Sequence, residues 1–108
     1  MIAANAILEK AASEMLDRGK TYDNPEGERS MGSTVRAFEA VSGVAMTEEQ
    51  GWLFMALLKA VRSQQGNLRL DSYVDGAAYF ALAGESAIGA RGSPRGGHGD
   101  LIKEETPR

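Results

Sequence analysis

The chain has 108 residues, a formal net charge of −3 and no cysteine. This length suits one small domain, and the acidic balance argues against nonspecific binding to nucleic acid, which requires a basic surface. The sequence predicts no membrane segment, because no apolar run approaches the roughly 18 residues of a span, and no signal peptide, because no basic segment precedes an apolar core at the N-terminus. The lack of cysteine excludes disulfides and thiolate metal sites and fits a cytosolic protein.

The first half of the chain predicts two helices. Apolar residues recur at helical spacing from Ala3 to Asp17, and the cations and glycine of Arg18-Gly19-Lys20 are typical of a helix end. The segment from Thr21 to Pro25 has the composition of a turn. A second helix is predicted from about Glu26 to Ser42, with Gly43 as its C-terminal cap.

The second half predicts two more helices. Thr47-Glu48-Glu49-Gln50 matches a capping box, so a third helix is expected to follow it and to run to about Gln65, with Gly66 ending it. This helix is apolar almost all round and is therefore expected to be the central one. Asp71 or Ser72 is expected to cap a fourth helix that runs to about Ala87.

These elements predict an all-α protein, a compact bundle of four helices over residues 1–88. From residue 89 the composition becomes rich in glycine and arginine, which predicts a flexible, disordered C-terminal tail over residues 89–108. Fewer than about ninety ordered residues give a marginal core. Together with the broadly apolar third helix, this indicates a homo-oligomer.

Four charges interrupt the two most apolar helices. Lys59 and Arg62 are three residues apart near the end of the third helix, and Asp71 and Asp75 are four apart at the start of the fourth, with Tyr79 continuing that face. Because Lys and Asp are rarely buried without partners, these charges need each other or a ligand. Three interpretations remain open: an inter-helix salt-bridge cluster, a Mg²⁺ site built on the two carboxylates, or a phosphate site built on the two cations.

A second polar constellation surrounds the predicted end of the first helix. It contains Arg18, Lys20, Tyr22, Asn24, Glu28 and Arg29. One interpretation is a helix end and solvated turn with Tyr22 as a packing residue. The other is a ligand site in which Tyr22 stacks on a base.

At these residues the chain resembles a family of small helical phage and prophage proteins of unknown function. The resemblance covers roughly residues 5 to 84 and departs from the family pattern at Asp23 and Gly76. Members of this family have an Arg/Lys-rich turn with Tyr and Pro. A Leu-Leu-Lys-x-x-Arg element follows, and then an Asp-x-x-x-Asp element that runs into Ala-Tyr. The matching residues are Arg18, Lys20, Tyr22, Pro25, Glu28, Leu57, Leu58, Lys59, Arg62, Asp71, Asp75 and Tyr79.

That family is distantly similar to the all-α nucleotide pyrophosphohydrolases of the MazG and dUTPase-like kind. The resemblance implies helical oligomers in which carboxylate pairs hold Mg²⁺ for hydrolysis of nucleoside triphosphates. Asp71 and Asp75 would replace the second carboxylate pair of that family, and Glu28, Glu48 or Glu49 would supply the first. A phage origin implies a location in the cytoplasm of the bacterial host.

Three hypotheses for function follow. In the first, the chain binds a nucleotide, a cyclic dinucleotide or another phosphate-bearing ligand and sequesters it without turnover; its ligand-binding residues would be Arg18, Lys20, Tyr22, Lys59, Arg62 and Tyr79. In the second, it is a Mg²⁺-dependent pyrophosphohydrolase with Asp71 and Asp75 as metal ligands. In the third, it is an interaction module that binds a host protein.

Overall fold

The computed structural model describes residues 1–22 and 30–92, except for the side chains of residues 19–22. Within these residues the chain forms four α-helices and no strand, which confirms the predicted all-α class. The flexible tail was predicted to begin at residue 89, but residues 89–91 are helical, and the tail from residue 93 onward lies outside the described residues. The helices are α1 (Ala4–Tyr22), α2 (Met31–Ser42), α3 (Glu48–Ser63) and α4 (Leu70–Arg91).

The boundaries of α2 and α3 follow the predicted local chemistry. Gly43 ends α2 in the left-handed conformation, with φ of 78°, and its backbone N–H donates to the carbonyl oxygen of Glu39. Thr47 and Gln50 form the predicted capping box, in which each side chain accepts a hydrogen bond of 3.0 Å from the other residue's backbone N–H. The link between these helices is therefore fixed at both ends.

Other boundaries differ from the prediction. The first helix continues to Tyr22, because the cations and Gly19 near its end do not stop it, and α2 begins at Met31, not near Glu26. The fourth helix begins at Leu70, so neither Asp71 nor Ser72 is its cap, and it continues to Arg91. Its N-cap is Arg69, whose side chain makes no capping hydrogen bond, so the sequence carries no capping signal there.

The central helix is α4, not α3 as expected from its composition. One cluster of buried side chains joins α4 to α2 and α3, through Met31, Val35, Trp52, Leu82 and Ala83. A second cluster joins α4 to α1, through Ala11, Val74 and Ala78. The many small residues of α4 allow this double packing, whereas α3 buries only Gly51 and Trp52. No helix in the described part of the chain is long and apolar enough to cross a membrane.

Two glycines test how tightly the helices pack. A Cβ on Gly51 would lie 3.0 Å from Cγ of Met31 and 3.1 Å from Cγ1 of Val35, and closer still to Sδ of Met31. A Cβ on Gly84 in α4 would have no neighbour within 4 Å. Gly51→Ala is therefore expected to lower the free energy of unfolding by about 1–2 kcal/mol through overpacking. Gly84→Ala should raise it by up to about 1 kcal/mol through helix propensity.

The measurement is urea denaturation followed by far-UV circular dichroism. The two substitutions make the same chemical change in helix interiors, so each is the control for the other. A stabilisation by Gly51→Ala equal to that of Gly84→Ala would show that α2 and α3 are not in close contact at Gly51.

Candidate functional site

The two constellations identified in the sequence meet at Asp75. Its Oδ2 lies 3.1 Å from Nζ of Lys59, and its Oδ1 lies 3.7 Å from Nη2 of Arg18. The three side chains come from α4, α3 and α1, and they are only 17%, 18% and 31% exposed respectively. We call these three residues the charged cluster. Its ion pairs link α1 and α3 to the central helix, α4.

The helix packing explains why Lys59 and Asp75 meet. The end of α3 and the start of α4 are adjacent in space, and the two helices run antiparallel, as their short link predicts. A Cβ on Gly76 would lie 3.6 Å from Cβ of Lys59, an ordinary van der Waals distance, so the backbones are close at this level. The predicted pairing across the two helices is thus confirmed for Lys59 and Asp75.

The predicted pairing does not extend to Arg62 and Asp71. Both residues are exposed, and neither makes an ion pair within the described part of the chain. Each lies one helical turn from the charged cluster, Arg62 after Lys59 and Asp71 before Asp75. Arg62 therefore presents an exposed guanidinium one helical turn from Lys59.

Tyr79 lies one turn after Asp75 and is half-buried. Its ring stacks on the buried ring of Trp52, with centroids 5.7 Å apart and planes inclined by 21°. The position of Tyr79 is therefore fixed by the core.

Lys20 and Tyr22 belong to the last turn of α1, and their side chains lie outside the described residues. Their assignment as ligand-binding residues stays a prediction. Pro25 and Glu28, which carry part of the family resemblance, lie outside the described residues, so Glu28 as a possible carboxylate of the first pair also stays a prediction.

The sequence interpretation missed that Arg18 reaches Asp75. A signal for it was present: Arg18 continues the helical row of Ala11 and Met15, which pack on α4. A cation that extends an apolar row points at the same neighbouring helix as that row. This spacing would have placed Arg18 next to a carboxylate of α4.

Asp75 already has a cation beside each of its carboxylate oxygens. Asp71 is an exposed residue one turn away. Among the described residues, no group of three or more carboxylate or histidine side chains is placed to hold a metal ion. The assignment of Asp71 and Asp75 to Mg²⁺ stays a prediction.

Two cavities lie beside α3 and α4. The larger, about 660 Å³, is bordered by Trp52 and by the carboxylates of Glu48, Glu49 and Glu85. Arg91 closes its rim with an ion pair of 2.9 Å to Glu49. The smaller, about 400 Å³, is a mainly apolar groove that Lys59 borders. The carboxylates of the larger cavity disfavour an anionic ligand there. Such a ligand would bind at the charged cluster, which does not border that cavity.

Comparison with known proteins gives one family. A family model described as a domain of unknown function (DUF6378) matches residues 6–87, which include α2, α3 and most of α1 and α4. No curated protein and no solved structure matches the chain.

Proposed function

The chain belongs to the DUF6378 family over residues 6–87, a domain of unknown function, and we propose that it binds a phosphate-bearing ligand, such as a nucleotide, at the charged cluster and Arg62. The proposed role is to bind and sequester the ligand without turnover. Because the sequence resembles phage and prophage proteins, the proposed location is the cytoplasm of a bacterial host. Arg18, Lys59 and Arg62 are the proposed phosphate-binding groups.

The convergence of two cations from different helices on one carboxylate carries this proposal. Arg18 and Lys59 hold fixed positions around Asp75, and Arg62 adds an exposed guanidinium one turn away. Asp75 is thus shared by two cations in a chain whose net charge is −3. Phosphate oxygens accept strong charge-assisted hydrogen bonds from such groups, and a guanidinium can bind two of them at once.

A nucleotide is the proposed class because aromatic residues follow the charged residues closely along the chain. Tyr79 lies one turn after Asp75 on α4, with its ring stacked on Trp52, and Tyr22 follows Arg18 by four residues in the sequence. An aromatic ring beside a phosphate site can stack on a base. The resemblance to all-α nucleotide pyrophosphohydrolases supports the same ligand class.

The test is a comparison of Arg62→Ala with Arg36→Ala. Arg36 is an exposed arginine of α2 that donates a hydrogen bond to Ser33, so its replacement controls for the loss of a surface cation. A panel of mono-, di- and triphosphate nucleotides and cyclic dinucleotides is screened by thermal shift, and hits are measured by calorimetry. At least one ligand should raise the melting temperature of the wild type.

We expect Arg62→Ala to weaken binding of that ligand about tenfold, which corresponds to about 1.4 kcal/mol, and Arg36→Ala to leave it unchanged. Affinity should also fall with added salt, since the contacts are ionic. If no nucleotide stabilises the wild type, or if both variants weaken binding equally, the proposed site is wrong.

A further inference from the structure

The side of α3 that faces away from α4 is apolar, and no described residue of the chain covers it. Phe54, Leu57, Leu58 and Val61 are 61%, 64%, 36% and 56% exposed. Their spacing of three, four and seven residues places them on one stripe of the helix. A helix that is apolar on all sides is normally buried on all sides, so the stripe indicates a missing partner.

The stripe continues into the apolar groove between α3 and α4. Leu57 belongs to the stripe and also lines the groove. Tyr73 and Phe80 of α4 form the opposite wall of the groove. The floor consists of small residues, Ala56, Ala60, Gly76 and Ala77. Tyr73 is 42% and Phe80 65% exposed, so the stripe and the groove form one apolar surface.

We propose that this surface is the interface of a homodimer, in which a second copy of the chain packs against it about a twofold axis. A twofold interface requires one patch that is complementary to itself. This patch carries both parts: projecting rings and leucines, and a groove of about 400 Å³ whose small-residue floor admits them.

The exposed area fits this occupant. Six side chains of Val, Leu, Tyr and Phe that are 36–65% exposed leave on the order of 600 Å² per chain, given on the order of 150–250 Å² for each aromatic residue. Two copies would then bury on the order of 1,200 Å², the lower limit of a specific interface. No carboxylate lines the groove, and its one cation, Lys59, is paired with Asp75 of the same chain, so two acidic chains can meet there without facing unpaired carboxylates.

The intrachain core gives a second reason for dimerisation. Within the described residues, only eight hydrophobic residues are buried. Domains of this size commonly need oligomerisation for stability, because a small core alone contributes little. The proposal does not depend on any ligand at the charged cluster.

The first test is the molecular mass in solution, measured by sedimentation equilibrium at micromolar concentrations. The chain has a mass of 11.5 kDa, so the wild type should show 2 × 11.5 = 23.0 kDa. Leu57→Glu and Phe80→Glu should each reduce this mass twofold, because the dimer would have to bury an unpaired carboxylate in its interface. The matched control is Val41→Glu in α2, which replaces an 88% exposed apolar residue outside the surface and should stay dimeric.

The second test uses cross-linking and does not require the glutamate variants to fold. The chain contains no cysteine, so Leu57→Cys, Leu58→Cys and Val61→Cys each introduce a single thiol. A short bis-maleimide should join two copies through at least one of these thiols, and Val41→Cys should give no more than background. A monomeric wild type, or a dimer that none of the three α3 thiols cross-links, would overturn the proposal and assign the surface to another partner.

Discussion

Replacing Trp52 by alanine is expected to lower the free energy of unfolding by about 3–5 kcal/mol. Trp52 is 4% exposed and lies in the core cluster that joins α2, α3 and α4. The substitution leaves a large cavity and also removes the stacking partner of Tyr79. Since small domains have total stabilities of about 5–15 kcal/mol, this variant should be partly unfolded under mild denaturing conditions.

Urea denaturation followed by far-UV circular dichroism measures this effect, because Trp52 is the only tryptophan and the variant loses the fluorescence probe. Trp52→Phe keeps an aromatic ring and should cost only about 1–2 kcal/mol. Phe38→Ala in α2 is the control for loss of an aromatic residue that is 41% exposed, and we expect about 1 kcal/mol or less. Equal losses for Trp52→Ala and Phe38→Ala would contradict the packing described for α3.

The helices could be predicted from the sequence where local chemistry determines them. The capping box at Thr47 and the left-handed Gly43 are local signals, and both were identified. The start of α4 was not, because Arg69 caps it without a side-chain hydrogen bond. That start depends on tertiary packing, as the burial of Ser72 in the first turn indicates.

The arrangement of the helices was predicted less well, for a physical reason. Composition made α3 the expected central helix, but α4 holds that place because its small residues let α1 and α3 approach from two sides. A sequence shows that a helix is apolar all round, but not whether its second apolar side is covered by the same chain. The exposed stripe of α3 is where that ambiguity lies.

The charged cluster was half predicted. Helix phase placed Lys59 and Asp75 on facing rows of antiparallel helices, but it left open whether they meet each other or a ligand, and the ion pair between them answers that for these two residues. Phase put Arg62 on the same row as Lys59, whereas Arg62 is exposed and makes no ion pair within the described part of the chain. The contribution of Arg18 required knowing that α1 packs on α4, a contact between residues far apart in the chain.

Replacing Asp75 separates the structural role of the charged cluster from its two functional interpretations. Asp75→Ala leaves Lys59 and Arg18 partly buried and facing each other without their common partner. We expect a loss of about 1–3 kcal/mol in the free energy of unfolding, less than for a fully buried pair because the side chains keep some solvent contact. The control is Glu49→Ala, which breaks the ion pair to the 67% exposed Arg91 and should cost about 0–1 kcal/mol.

Asp75→Asn keeps the shape of the side chain and removes its charge, so it distinguishes the functions by the sign of its effect. If the cluster binds phosphate directly, loss of the competing carboxylate should strengthen nucleotide binding in Mg²⁺-free, low-salt buffer by about threefold to tenfold. If Asp75 instead holds Mg²⁺ for pyrophosphate hydrolysis, the substitution should abolish Mg²⁺-dependent release of pyrophosphate from nucleoside triphosphates. Calorimetry and a pyrophosphate assay on the same protein give both readouts, and weaker Mg²⁺-free binding by Asp75→Asn would contradict the phosphate site.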